Sequence, residues 1–206
     1  MSIRINGIEK DSQTNQEASF IHGTYHMAAN PNIYEPQRTS DFEFVITDLD
    51  NLLPIGGETP FTNAQEMLRL AVISAPIPHF SQNPIGIRRG NGNLNFAGVP
   101  NFSSGTLTIR DWIGAQTKDM LMAWQNLSYN VKTQKVGLAS EYKKDCYLIE
   151  YTPDKQKIRR WILRGCWISE ITENSFDHEN TDNINTIQAT ITYDSGELDT
   201  TDIDIY

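Results

Sequence analysis

Long apolar runs are missing from this 206-residue chain. None approaches the ~20 consecutive apolar residues that a membrane-crossing helix needs, and the N-terminus lacks the basic-then-apolar order of a secretory leader. The expectation is therefore a protein that folds in cytoplasm, without membrane insertion. Cysteine is equally scarce, with two in the chain, so a disulfide scaffold is excluded and a single core has to supply the stability, which this length allows. Catalytic motifs are absent as well: there is no Gly-x-Ser-x-Gly elbow, no Cys-x-x-Cys and no His-Glu-x-x-His. Basic residues are in the minority, 17 Lys and Arg against 26 Asp and Glu, for a formal net charge of -9. That balance excludes a protein whose task is to hold nucleic acid, because such affinity comes from cations neutralising phosphates.

Alternation is what the chain does contain. Cys146, Leu148 and Glu150 alternate with Tyr147, Ile149 and Tyr151, and beyond Pro153, Asp154, Lys155 and Gln156 a second run, 158–163, is rich in β-branched and aromatic residues. The pattern predicts a hairpin. A three-residue loop sets Glu150 opposite Arg160 and a four-residue loop sets it opposite Arg159, so either register gives the acid an Arg. Neither register sets Cys146 opposite Cys166, which predicts free, packed thiols rather than a disulfide. Gly165 predicts a bulge that turns Cys166 and Trp167 onto another face.

Elsewhere, residues 42–49 alternate, with Phe42, Phe44 and Ile46 on one face, and 68–77 reads as a second strand closed by Pro76 and Pro78. Gly90-Asn91-Gly92 marks a tight hairpin turn between 85–89 and 94–97. It is not a phosphate cradle, since no Lys-Ser/Thr follows and no helix opens there. In 104–111, Thr106, Thr108 and Arg110 alternate with Leu107 and Ile109; in 184–193, Thr186, Gln188, Thr190 and Thr192 alternate with Ile187, Ala189, Ile191 and Tyr193. The segment 115–127 reads as the one helix, with Met120, Leu121, Trp124 and Leu127 on one side.

Metal and cofactor sites find no support. His22 and His26 have the spacing of two ligands on a helix turn, but Gly23 weakens that helix and no third ligand is near, so 1–41 reads as a polar arm in which Ile3, Ile5 and Ile8 mark a short strand. Asp177, Glu179 and Asp182 lack the Gly and the spacing of a calcium loop and read as a solvated acidic turn. Charge is uneven along the chain: 131–164 holds nine Lys or Arg against four acids, whereas 165–206 holds ten acids and no Lys or Arg. The asymmetry predicts self-association between unlike faces, with Lys143, Lys144, Arg159 and Arg160 on one side and Asp177, Glu179 and Asp182 on the other. Two solvated patches are the plainer alternative.

The run GLASEYKKDCYLIEY followed by LRGCWISEI, together with LNFAG at 94–98, the spacing of Thr106, Thr108 and Asp111, Ala123-Trp124-Gln125-Asn126, and SFDHENTDNINTIQATITYD at 175–194, resembles the tail tube subunit family of contractile-tailed bacteriophages. The resemblance spans roughly 42–194. It implies a mainly β fold, a β-barrel or two-sheet sandwich with one packed α-helix, preceded by an extension at 1–41 and followed by an acidic tail at 195–206. It also implies a structural protein rather than an enzyme: six-membered rings stacked head to tail inside a sheath, with sheath, baseplate and tail-terminator proteins as partners. The particle is assembled in host cytoplasm, and DNA passes through the lumen without being specifically held. An acidic conduit suits DNA that has to slide. Under this reading Thr106, Thr108, Arg110, Thr186, Gln188, Thr190 and Thr192 line the channel. The alternatives are a tube-initiating or tube-terminating ring, the tube of a related injection machine, or a monomeric ligand- or carbohydrate-binding β-barrel.

Overall fold

The computed structural model describes residues 3–5, 8–10, 36–57, 59–173 and 184–199. The chain divides into two units, Met1–Arg38 and Thr39–Tyr206. In the first, β1 (Ile3–Ile5) and β2 (Ile8–Lys10) form an antiparallel hairpin with Ile3 opposite Lys10. His22 and His26 lie outside the described residues.

The second unit starts with β3 (Phe42–Ile46), α1 (Ala64–Ala71) and β4 (Val72–Ser74). Four strands, β5 (Phe80–Gln82), β6 (Ile85–Arg89), β7 (Gly92–Phe96) and β8 (Pro100–Phe102), then form a two-stranded arm. After β9 (Gly105–Arg110) come a 3-10 turn at Ile113–Ala115, α2 (Thr117–Ser128), the small pair β10 (Tyr129–Asn130) and β11 (Lys135–Val136), and α3 (Ala139–Tyr142). The chain closes with β12 (Lys144–Tyr151), β13 (Lys157–Glu173), β14 (Thr186–Thr192) and β15 (Ser195–Asp199). The main sheet has seven strands in the order β3-β12-β13-β14-β9-β4, with β15 also on β13, and every pairing is antiparallel.

Strand β13 is long because it serves two layers. Up to Arg164 it lies between β12 and β15; beyond Cys166 it pairs with β14. Gly165, at φ +67°, makes the bend, and its N–H donates to Asp145 Oδ1 at 3.2 Å while the pairing slips between Cys146 and Lys144. A left-handed residue at a bulge favours glycine, and the extra residue sharpens the local twist. The expected bulge is therefore present. The β12–β13 hairpin adopts the register that sets Glu150 opposite Arg159.

Alternation then fills the space between the layers. Phe44, Ile46, Cys146, Leu148 and Leu163 point in from one layer, and Leu107, Ile109, Ile168, Ile187, Ala189 and Ile191 from the other, all buried. Helix α2 covers this core with Met120, Leu121 and Trp124. One expectation changes. Residues 68–77 do not form one strand: Ala64, Leu68 and Ala71 recur at helical spacing and are buried, Leu70 is exposed, and only Val72–Ser74 is extended. Residues 195–199 of the expected acidic tail form β15, and α1 adds the buried Ala64, Leu68 and Ala71 to the core beside α2.

Trp124 is 1 % exposed and its Nε1 donates to the Tyr142 carbonyl at 2.8 Å, tying α2 to α3. Replacing it with Ala should cost about 3–5 kcal/mol of stability. Trp124→Phe should cost less, about 1–3 kcal/mol, chiefly from the carbonyl left without its donor. Urea denaturation checks both; equal losses for the two variants would contradict the assigned role of the indole N–H.

Candidate assembly surfaces

The outward face of the β13-β14-β9-β4 layer is polar in continuous rows. Pairing sets Thr186 beside Arg110, Gln188 between Thr108 and Thr172, and Thr190 between Thr106 and Glu170, while Ser74 pairs with Thr108. The seven residues expected to line a channel, Thr106, Thr108, Arg110, Thr186, Gln188, Thr190 and Thr192, alternate with the buried Leu107, Ile109, Ile187, Ala189 and Ile191 and so share one face. The hydroxyls of Ser169 and Thr172 donate to the carbonyls of Thr190 and Gln188. The rows themselves are uncharged apart from Arg110 at one end and Glu170 at the other.

The basic and acidic segments meet, but inside one chain. Because β15 lies beside β13, Arg164 Nη2 reaches Glu197 at 2.7 Å and Arg160 Nη1 reaches Asp199 at 3.7 Å, while Lys143 Nζ binds Asp194 at 2.6 Å. Arg159 Nη1 pairs with the buried Glu150 at 2.9 Å, the Arg160 guanidinium also lies 4.4 Å from the Tyr147 ring centre, and Lys144 Nζ donates to the Asp48 carbonyl. All four basic interface candidates, Lys143, Lys144, Arg159 and Arg160, make contacts within the chain. The short spacing between neighbouring strands is the reason. Asp177, Glu179 and Asp182 lie outside the described residues.

Two exposed apolar surfaces had not been singled out from the sequence. The β5–β8 arm carries Ile85, Ile87, Leu94 and Phe96 outside the core, rooted by Phe80, Phe102 and Tyr193 with ring centres 5.7 and 6.1 Å apart in succession. At the far end of β9, Trp112, Ile113 and Ile184 form an exposed corner. Thr117 Oγ1 accepts from the Trp112 N–H and donates to the Arg110 carbonyl, and Asn185 Nδ2 donates to Asp111 Oδ2. A groove of about 420 Å³ beside β3 is lined by Asp41, Glu43, Arg69 and Lys155, whose charges pair as Arg69–Glu43 and Lys155–Asp41. Among the described residues no cluster of His, Cys, Asp and Glu could hold a metal ion.

No family model and no curated protein matches the sequence. Solved structures do. A chain of the anti-feeding prophage cap, a tube-terminating cap, aligns with TM-score 0.53 and 18% identity over 80% of this chain and 91% of its own. A chain of the sheath/tube terminator of PVC, an extracellular contractile injection system, gives 0.53 and 19% over 81% and 99%. A chain from the sheath-tube complex of PVC gives 0.51 and 17% over 86% and 97%. The chain has the fold of contractile injection-system subunits. That agrees with the fold expected from the tail tube resemblance.

Within this fold the titration of three groups is set by neighbours. Burial pushes the Cys146 thiol well above its usual 9.0, and a hydrogen bond with Cys166 adds to the shift. The Asp194 carboxylate holds Lys143 above its usual value, whereas burial lowers Lys144. Above pH 9.0 the unfolded chain ionises Cys146 while the folded chain keeps it protonated, so stability present below that pH is lost as pH rises. Lys143 acts in the same direction from 10.5 upward, and Lys144 opposes it below 10.5. Thermal unfolding followed across the alkaline range should show Tm falling from about pH 9, the ordinary ionisation range of a thiol. Cys146→Ala should postpone that fall; an unchanged onset would count against the thiol.

Proposed function

We propose that the chain is the repeating subunit of the inner tube of a contractile tail or injection particle, closing into six-membered rings that stack head to tail. The observation that carries this reading is the polar Thr and Gln face, charged only at Arg110 and Glu170, flanked by open edges. Among the described residues, β4 has no strand on its outer side, and β13 beyond Cys166 has none on the side away from β14. The four strands β13, β14, β9 and β4 alternate in direction, so β4 of one copy lies antiparallel to β13 of the next. A ring built this way continues one antiparallel sheet and leaves no edge exposed. The layer β3-β12-β13-β15 alternates in the same sense, so both layers obey one repeat.

The wall of such a ring is the Thr and Gln face, whose groups exchange hydrogen bonds with water and offer few cations to a polyanion. DNA therefore slides without being held. Sheath, baseplate and terminator proteins are the partners of a subunit in this position, the particle tail is its location, and its role is structural rather than enzymatic. A tube-terminating ring is the second reading, favoured by the likeness to the cap and the terminator. The monomeric binding barrel is disfavoured because Leu107, Leu121, Trp124, Leu163 and Ile187 pack into the space between the layers, where such a barrel would hold its ligand.

Electron microscopy of the purified full chain tests the reading. Stacked rings support a tube subunit, isolated rings support a terminator, and a protein that stays monomeric at high concentration overturns both. In tubes, Thr108→Lys with Thr190→Lys should leave ring dimensions unchanged and make short DNA bind, with affinity falling steeply as salt rises. Filter binding across ionic strength measures this, and equal DNA binding by wild type and variant would remove these residues from the wall.

A further inference from the structure

We infer that Cys146 and Cys166 form a modification site: an oxidant of the peroxide class closes them into a disulfide that pins β12 to β13 where β13 leaves one layer for the other. The bond lies inside one chain, so it stands whether that chain is a tube subunit or a terminating ring.

The bend brings the two thiols to one side. In an unbroken antiparallel ladder a residue three places beyond Leu163 would point away from the face that Leu163 occupies. Here Cys146 faces Leu163 and Lys144 faces Cys166, so β13 uses three residues where β12 uses two. The extra residue, at the left-handed Gly165, turns Cys166 back to the side of Leu163 and Cys146, and all three are 0% exposed. Diagonal neighbours in a flat ladder stand about 7–8 Å apart, too far for a disulfide, and the added twist of a bulge shortens that gap. The side chains confirm the approach. The Cys166 thiol leans back along β13 and donates to the Leu163 carbonyl at 3.5 Å, which carries its sulfur toward the rung of Cys146. The two thiols are in hydrogen-bond contact with each other. A ladder counted without the bulge hides this proximity, which is why the sequence pattern alone predicts thiols that stay free.

The reaction balances with peroxide as the oxidant. One thiolate attacks the O–O bond, giving a sulfenic acid and, with the proton that thiol released, one water; the second sulfur then displaces the sulfenic oxygen, which leaves with its proton as a second water. Two thiols lose two electrons and two protons, peroxide takes up both, and the sulfurs move from contact to a bond of about 2 Å. Burial makes the first step slow, because a thiol shut away from solvent and held protonated reacts when local opening admits the oxidant. The second step is fast, since the resolving sulfur is already in contact, and the sulfenic acid is consumed before further oxidation. The product is a slow-forming, long-lived lock, open in thiol-rich surroundings and closed in oxidising ones. It joins the strands at the one point that both layers share.

The test exposes the full-length reduced chain to hydrogen peroxide without denaturant, blocks remaining thiols with an alkylating agent and maps the peptides by mass. The chain has two cysteines, so a crosslink within one chain has a single assignment. The peptides carrying Cys146 and Cys166 should appear joined, two hydrogens lighter than their sum and without an alkyl group, and dithiothreitol should separate them. Circular dichroism should match the reduced chain, and a non-reducing gel should show single chains. Unfolding in urea should be about tenfold slower after treatment, a difference that Cys146→Ala and Cys166→Ala should each abolish. Sulfinic acid on either cysteine, chains joined to one another, or thiols that stay fully alkylatable after prolonged exposure would overturn the site. A crosslink that forms only once the native circular dichroism is lost would overturn it too. These readings come from wild type, so they hold even if the cavity left by an Ala variant prevents folding.

Discussion

The bend of β13 at Gly165 is the constraint on which both layers depend. Seventeen residues of one strand supply the third member of one layer and the first of the next, and the direction change occurs within a single residue. Two acids hold it. Asp145 takes the Gly165 N–H, and the Asp194 N–H donates to the Arg164 carbonyl at 3.0 Å, so β14 and β15 bend at the same level as β13. A side chain at 165 would meet the Asp194 carboxylate as well as the penalty of a left-handed backbone, so the site excludes other residues twice over. Because the carboxylate displaced there is also the partner of Lys143, the bend, the ion pair and the position of α3 are linked.

Glu150 shows how a charge is kept inside. It is 9% exposed on the core side of β12, flanked in the register by Phe42 and Arg159, and its two oxygens accept from Trp161 Nε1 at 2.8 Å and Arg159 Nη1 at 2.9 Å. A buried carboxylate is tolerated when each oxygen has a donor. The pair adds little net stability over an apolar replacement, but removing one partner leaves an uncompensated charge. Its contribution is register: a strand shifted by one residue would send Glu150 to the outer face and break both bonds.

Much of this architecture was legible in the sequence, because a strand with one buried face alternates with period two. The polar rows around Thr108 and Gln188, the β12–β13 hairpin, the turn at Gly90 and the bulge at Gly165 all follow from local pattern. Where two periods coincide, the pattern fails: Leu68, Leu70 and Val72 alternate like a strand, yet Leu68 and Ala71 are also helical neighbours, and packing chose the helix. Ion pairs failed for another reason. Lys143 and Asp194 are 51 residues apart, and charge counting along the chain gives the sign of a segment but not what the fold brings beside it. The arm and corner were missed because alternation does not say whose surface covers an apolar face, and Trp112 and Ile113 belong to no periodic element.

Neutralising charge within the chain changes what drives association. An exposed ion pair is worth only about 0–1 kcal/mol, and Lys143, Arg160 and Arg164 already have partners, so a neighbour gains little by offering another acid. Among the described residues, the edges of β4 and of β13 beyond Cys166 and the exposed apolar side chains of β6 and β7 are left to be satisfied. In the proposed ring, edge pairing would give direction and apolar burial would supply affinity, at about 25 cal/mol per Å² before the entropy of association is met. A net charge of -9 makes copies repel at long range, which works against indiscriminate clustering. Order follows from that balance: long-range repulsion is uniform, while the short-range gains exist only in one geometry.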